Sequence, residues 1–304
     1  MTSRPFRFAA QVRALRDRTE LRETARAVEA LGYEELFSFD HVGQVDPFVP
    51  LMVAAEATTS LRVGPLVVDV ELHSPALLAR TAATVDRLTG GRLVLGLGTG
   101  YDEAEHRAAG LPIRAPGPRV DRFAEVLPVL RALLADGAAH HDGEHVRIDL
   151  DDLGIEPIQG RVPFLIGGNG PRVVRLAAEH ADIFQFTGLV HGEAGRPGVG
   201  GFPIESVRRR SQWLDEAAGE RRHEIERSAL VQTVVRSNDA DPYDSLTERF
   251  GLDAEVLASS PFVLAGSVDS ICDELHRLRD DLGISHFVVR EYEDFAPVVE
   301  RLAG

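Results

Sequence analysis

Apolar positions along the chain fall into short continuous runs and longer stretches at helical spacing, and the two kinds alternate. Residues 6–12, 36–39 and the valine-rich 63–70 have the length and β-branched content of strands. Between the first two, Leu21, Ala25, Val28 and Leu31 share one helical face, with Thr19 as the expected cap and Gly32 as the stop. Residues 47–59 read as a second helix. Ser74 caps and Pro75 starts a third, which Gly90-Gly91 ends. Residues 92–97 form the fourth strand. After a proline-rich link come a helix over 120–135 and a hairpin over 140–148 that turns at Asp142-Gly143. Strands five and six follow at 162–167 and 182–186, with a helix from Pro171 between them. Residues 204–218 are helical and 230–236 form the seventh strand. Ser267 opens the last well-formed helix, where Val268, Ile271, Leu275, Leu278 and Leu282 keep helical spacing, and 286–290 is the eighth strand.

Eight strands, most followed by a helix, predict a parallel sheet buried on both faces, and eight is the number that closes it. The expectation is an α/β fold: one (β/α)8 TIM barrel domain over residues 1–304. The hairpin and residues 237–262 are loop insertions, and the glycine-rich loop 188–203 sits at the C-terminal rim.

Composition narrows the chemistry. The chain has 304 residues, 44% hydrophobic and 27% charged, as ordinary globular proteins have. No run approaches the length of a membrane span and the first residues carry no signal-peptide core, so a cytoplasmic protein without a membrane partner is expected. The formal charge of −15 opposes nucleic-acid binding. Cys272 stands alone, which excludes an intrachain disulfide and a cysteine zinc site. The sequence contains no lysine, so Schiff-base, pyridoxal and P-loop chemistry are excluded as well.

Function in such a barrel collects at the C-terminal ends of the strands. Strand two ends in Phe39-Asp40-His41, which reads as a catalytic pair or as a helix cap beside a buried histidine. Strand five ends in Gly167-Gly168-Asn169-Gly170-Pro171-Arg172, an anion site at a helix N-terminus or a tight turn. Strand four ends in Gly96-Leu97-Gly98-Thr99-Gly100, which lacks the spacing and the following acid of a dinucleotide fingerprint. Arg290, closing strand eight, is a substrate contact or a structural ion pair. His140, His141 and His145 with Asp142 and Glu144 read as a solvated hairpin with no metal, and His73 as structural.

The segments LFSFDHV, HSPALLARTAATVDRLTGGRLVLGLGTG and FLIGGNGPRVVRLAAEHAD together resemble the luciferase-like monooxygenase superfamily, in its branch that uses coenzyme F420, a 5-deazaflavin. The resemblance implies an F420-dependent oxidoreductase acting on a small organic substrate, with a homodimer as an option. A reduced-FMN monooxygenase and a non-catalytic deazaflavin-binding barrel stand as alternatives. It implies that His41 is the acid/base and that Asp40 approaches the deazaflavin head. Leu66 and Val67 would share a cis peptide behind the ring and Asp69 would reach the ring's polar edge. Thr99 and Gly100 would touch the cofactor, and Gly167, Gly168, Asn169, Gly170 and Arg172 would cradle its phosphate. The sugar-phosphate-oxidising branch has a glutamate after strand four and lysines on the phosphate. Here the position is Tyr101, a substrate candidate with Arg290, and a phosphorylated sugar is disfavoured.

Overall fold

The short apolar runs fold as strands because each is covered twice, by the barrel interior on one face and by a helix on the other. A computed structural model describes residues 4–13, 17–192, 196–238 and 241–302. Its staves are β1 (Arg7–Gln11), β2 (Glu35–Ser38), β3 in two pieces (Arg62–Pro65 and Val68–Asp69) and β4 (Leu95–Gly98). The ring continues through β5 (Phe164–Gly167), β6 (Ile183–Phe186), β7 (Glu226–Leu230) and β8 (Ile284–Val289). All pairings between staves are parallel. The two ends of the sheet are the two pieces of β3, one bonded to β2 and the other to β4, so the ring closes through this stave as a (β/α)8 barrel.

The break in β3 is the Leu66–Val67 peptide, which is cis. Around it β3 and β4 run very close together. A Cβ on Gly64 would land on the Val94 carbonyl oxygen, and one on Gly96 would land on that of Pro65. These glycines therefore serve strand contact rather than a phosphate. Inside the ring, Ala9, Phe37, Leu66, Val94, Leu165, Ile183 and Val288 pack as one cluster.

The floor of the barrel is closed by charge. Arg7 lies 2.5 Å from both Glu35 and Glu226, and His286 lies 3.0 Å from Glu35. Burial works to raise the Glu35 carboxyl, but His286 and Arg7 outweigh it and hold it down at about 2. The opposite, C-terminal end is left for ligands.

Several boundaries differ from the sequence reading. The first helix, Arg18–Ala30, is capped by Asp17, whose carboxylate accepts from the amides of Thr19 and Glu20, and not by Thr19. The seventh stave is Glu226–Leu230. The expected strand is represented by Thr233–Arg236, which leaves the barrel and pairs in parallel with Val263–Gly266. Helices Asp244–Phe250 and Ala254–Ser259 lie within the 237–262 insertion. A last helix, Tyr292–Leu302, follows β8 and buries Phe295, Val298 and Val299. Within loop 188–203, Val190–His191 pairs antiparallel with Pro197–Gly198, and residues 193–195 lie outside the described residues. The hairpin is present as Ala139–Asp142 and Arg147–Leu150. Its His140 bonds Asp149 at 2.7 Å and its His141 faces Glu125 at 3.4 Å. Among the described residues no helix is long and apolar enough to cross a membrane.

Candidate active site

Each stave delivers its next residues to the rim, and the rim between β2 and β4 is where chemistry gathers. His41, just past β2, places Nδ1 2.8 Å from Glu105 Oε1. The other carboxylate oxygen accepts the Val42 amide at 3.1 Å. An ionised carboxylate only accepts, so Nδ1 carries a proton and Nε2 is the working nitrogen of the ring. That nitrogen lies 3.3 Å from the Tyr101 hydroxyl. Burial, then the nearby carboxylates of Glu105, Asp102 and Asp69, push the Tyr101 phenol up to about 12, so it remains a donor at neutral pH. The Tyr101 ring stacks on His191 from the rim loop, with centroids 3.6 Å apart and planes 15° from parallel. Burial and the neighbouring His41 lower the His191 pKa, which keeps the stacked ring neutral.

Asp40 turns from His41 toward β3. Its Oδ2 accepts the Asp69 amide at 3.1 Å and faces His73 Nε2 at 2.9 Å, while Oδ1 has no protein partner among the described residues. His73 is thus tied to Asp40 at the rim. Asp69 in turn accepts the Glu71 amide at 2.9 Å and faces His106 Nε2 at 3.0 Å. His106 Nδ1 lies 3.1 Å from the Pro112 carbonyl, and a carbonyl can only accept. The Asp69–His106 contact therefore holds a proton of its own. Burial raises the Asp69 carboxyl, against the lowering effect of the His106 bond. Gly100, at φ +71, brings its Cα against this carboxylate, where a Cβ would collide. Thr99 Oγ1 makes only a 3.5 Å contact with the Gly100 carbonyl.

The β5 end divides into a braced half and an open half. Asn169 donates to Thr187 Oγ1 at 3.0 Å and to the Leu189 carbonyl at 2.9 Å, and its oxygen takes Arg210. This side chain ties the rim loop to β5 and has no free polar end. Arg172 bonds Asp121 on the neighbouring helix. Gly168 lies against Val173, whereas a Cβ on Gly170 would meet nothing within 4 Å. Helix Pro171–His180 starts here without a side-chain cap, so its first amides have no side-chain acceptor.

Across the mouth, Arg290, read from sequence as a substrate contact or a structural ion pair, forms no ion pair among the described residues. Its Nε and Nη1 each donate at 2.9 Å, to the amide oxygens of Gln11 and Gln232. Sequence reasoning passed over Glu105, His106, Gln11 and Gln232. Glu105 had a signal, because Asp102-Glu103-Ala104-Glu105 reads as a capping box. Asp102 does cap the helix Glu103–Ala108, but Glu105 reaches His41 instead of closing the box.

The family model for luciferase-like monooxygenases matches residues 2–255. The chain is 31% identical over 163 residues to 5,10-methylenetetrahydromethanopterin reductase of Archaeoglobus fulgidus. That match covers 54% of this chain and 47% of the relative, about half its length. Among solved structures, coenzyme F420 dependent tetrahydromethanopterin reductase from Methanopyrus kandleri aligns with a TM-score of 0.76 at 21% identity, over 98% of this chain and 97% of that one. An F420-dependent secondary alcohol dehydrogenase in complex with an F420-acetone adduct aligns with a TM-score of 0.75 at 17% identity, over 98% and 99%. At these identities the two structures establish the fold.

Proposed function

The chain belongs to the luciferase-like monooxygenase family, and from that premise we propose that it is a coenzyme F420-dependent oxidoreductase, moving a hydride between the deazaflavin and a small organic substrate. The observation that carries this reading is the His41–Glu105 dyad on the rim, with Nε2 directed to Tyr101. A carrier or sensor has no need of an oriented imidazole whose second nitrogen is kept for proton exchange, and hydride transfer does.

The residues fit such a cofactor. Gly170 leaves space before an uncapped helix start, as a phosphate cradle requires, and its φ of −85° and ψ of 150° suit any residue. The space, not the backbone, is the reason to read this glycine as functional. Gly167 and Gly168 would complete the cradle, with Arg172 at its edge. Leu66, Val67, Asp69, Thr99 and Gly100 would line the ring site, and Asp40 Oδ1 would face the ring. When bound, the deazaflavin supplies two-electron hydride chemistry.

The chain's own part is the proton. When a substrate C–H bond gives up its hydride and a neighbouring O–H its proton, His41 Nε2 takes that proton. In the reverse direction the same nitrogen returns it. Glu105 holds the ring in the productive tautomer and stabilises its charged form. Tyr101, stacked on His191, holds its hydroxyl at Nε2.

Titrating the purified protein with F420 and with FMN under identical conditions, by fluorescence quenching, tests the cofactor. Tight F420 binding is expected, and tight binding of FMN alone overturns the proposal in favour of a reduced-FMN monooxygenase.

A further inference from the structure

Arg290 is a half-buried cation with no ion pair among the described residues. Among the described residues no carboxylate lies within ion-pairing distance of it, although the chain carries a formal charge of −15. Its partners are two neutral amides, and both are locked. Gln11 donates its NH2 to the Leu66 carbonyl at 3.1 Å, and Gln232 donates its own to the Leu230 carbonyl at 3.3 Å. Neither amide can flip, so both oxygens must face the guanidinium. A fork held in this way is oriented but not neutralised, and leaving a desolvated charge unpaired is costly. Burial pushes the Arg290 pKa down to about 10, and Arg13 adds to the shift, with Glu291 opposing it. The cation also acts to lower the Tyr101 phenol, and both side chains follow the C-terminal ends of their staves, as His41 does.

Resting on the hydride-transfer reading of this pocket, we propose that Arg290, presented by Gln11 and Gln232, is an oxyanion subsite: the substrate carries a carboxylate or phosphate group that pairs with the guanidinium. The chemistry matches the side chain, since a planar fork with unused N–H donors takes a two-oxygen anion in paired hydrogen bonds. The anion anchors one end of the substrate at β8, and its reacting carbon then faces His41 on β2. The cation would also select against neutral analogues, which would leave the desolvated charge unpaired.

Calorimetric titration of the F420-loaded protein with sodium acetate, inorganic phosphate and neutral acetamide tests this. At least one anion should bind and acetamide should not. Arg290→Gln should weaken anion binding at least tenfold. Gln232→Glu should do the same by supplying an internal counter-charge, and it should also raise the melting temperature. Acetate binding alone marks a carboxylate substrate and phosphate binding alone a phosphorylated one. Failure of the parent to bind either anion, or parental affinity in both variants, overturns the subsite. If Arg290→Gln does not fold, Gln232→Glu carries the comparison. Should F420 fail to bind while the apoprotein still binds anions in an Arg290-dependent way, the subsite stands and the cofactor reading falls.

Discussion

Replacing Gly170 by alanine separates the two demands placed on a glycine, because at this position only one of them applies. With φ −85° and ψ 150° the backbone accepts alanine, and a Cβ would have no neighbour within 4 Å. Alanine restricts the unfolded chain, so Gly170→Ala should stabilise the protein by about 0.4–1 kcal/mol, a rise in melting temperature of about 1–3 °C. Binding should move the other way. A phosphate oxygen accepting a first-turn amide sits about 2.9 Å from its nitrogen, whereas a methyl carbon needs about 3.5–4.0 Å of clearance. Losing one such charge-assisted hydrogen bond costs about 1.5–3 kcal/mol, or roughly 10- to 150-fold in Kd. Fluorescence titration with F420, beside thermal unfolding of the apoprotein, reads both effects. The deazaflavin chromophore without its phosphate should bind parent and variant alike. A variant that melts higher yet binds F420 as the parent does would place the phosphate elsewhere. Gly168 is the poorer probe, since its Cβ would meet Val173 Cγ1 at 2.5 Å and fold and binding would change together.

His41→Ala should slow single-turnover cofactor reoxidation by roughly 100- to 10,000-fold with F420 affinity retained, and equal rates would remove the imidazole from the chemistry. Glu105→Gln keeps the shape but not the charge on Nδ1, so its rate should fall between those of parent and His41→Ala; a parental rate would make Glu105 a bystander. Gly96→Ala drives a Cβ into the Pro65 carbonyl, backbone against backbone, and should cost about 3 kcal/mol or more in urea unfolding; parental stability would refute the close-contact account of β3 and β4. Glu29 is held at about 2 against an ordinary 4.5; burial opposes this, but the amides of Ser60, Leu61 and Thr59 prevail. A depressed carboxyl contributes stability that is complete above the ordinary value and lost as pH falls from about 4.5 to about 2. Urea midpoints at pH 7 and pH 3 should therefore differ less in Glu29→Gln than in the parent.

The barrel was legible because most staves are apolar runs, and β7 was misplaced because it is not one. Its sequence, Glu226-Arg227-Ser228-Ala229-Leu230, carries polar groups that the ring satisfies internally. Glu226 completes the Arg7 cluster on the floor, and Ser228 bonds Gln185, its register partner on the neighbouring β6, at 3.0 Å. A buried polar residue with a partner costs little, but the partner is remote in sequence, so the strand reads as surface. The valine-rich segment beyond it drew the assignment and pairs outside the ring instead. The last helix was hidden for a comparable reason. Pro297 interrupts its pattern, yet Phe295, Val298 and Val299 still pack inward.

The site shows the same division between what spacing reveals and what only contact reveals. Gly96-Leu97-Gly98-Thr99-Gly100 has the look of a phosphate loop, but these glycines answer to their neighbours. Gly96 lies on Pro65, Gly98 on Val67 and Gly100 on Asp69. The chemistry lies a few residues further on, at the start of the next helix. Tyr101 occupies the position where the resembling sugar-phosphate branch has its acid, and a reading that stops there leaves His41 without a carboxylate. Glu105, four residues on, lies in the first turn of helix Glu103–Ala108, and its carboxylate meets His41 Nδ1 while the Tyr101 hydroxyl meets Nε2. His106, one residue later, points to a different stave and engages Asp69. A single short helix thus serves two strand ends. In this barrel the acid next to the imidazole is set by where the first turn of that helix projects, and not by the residue that directly follows the strand.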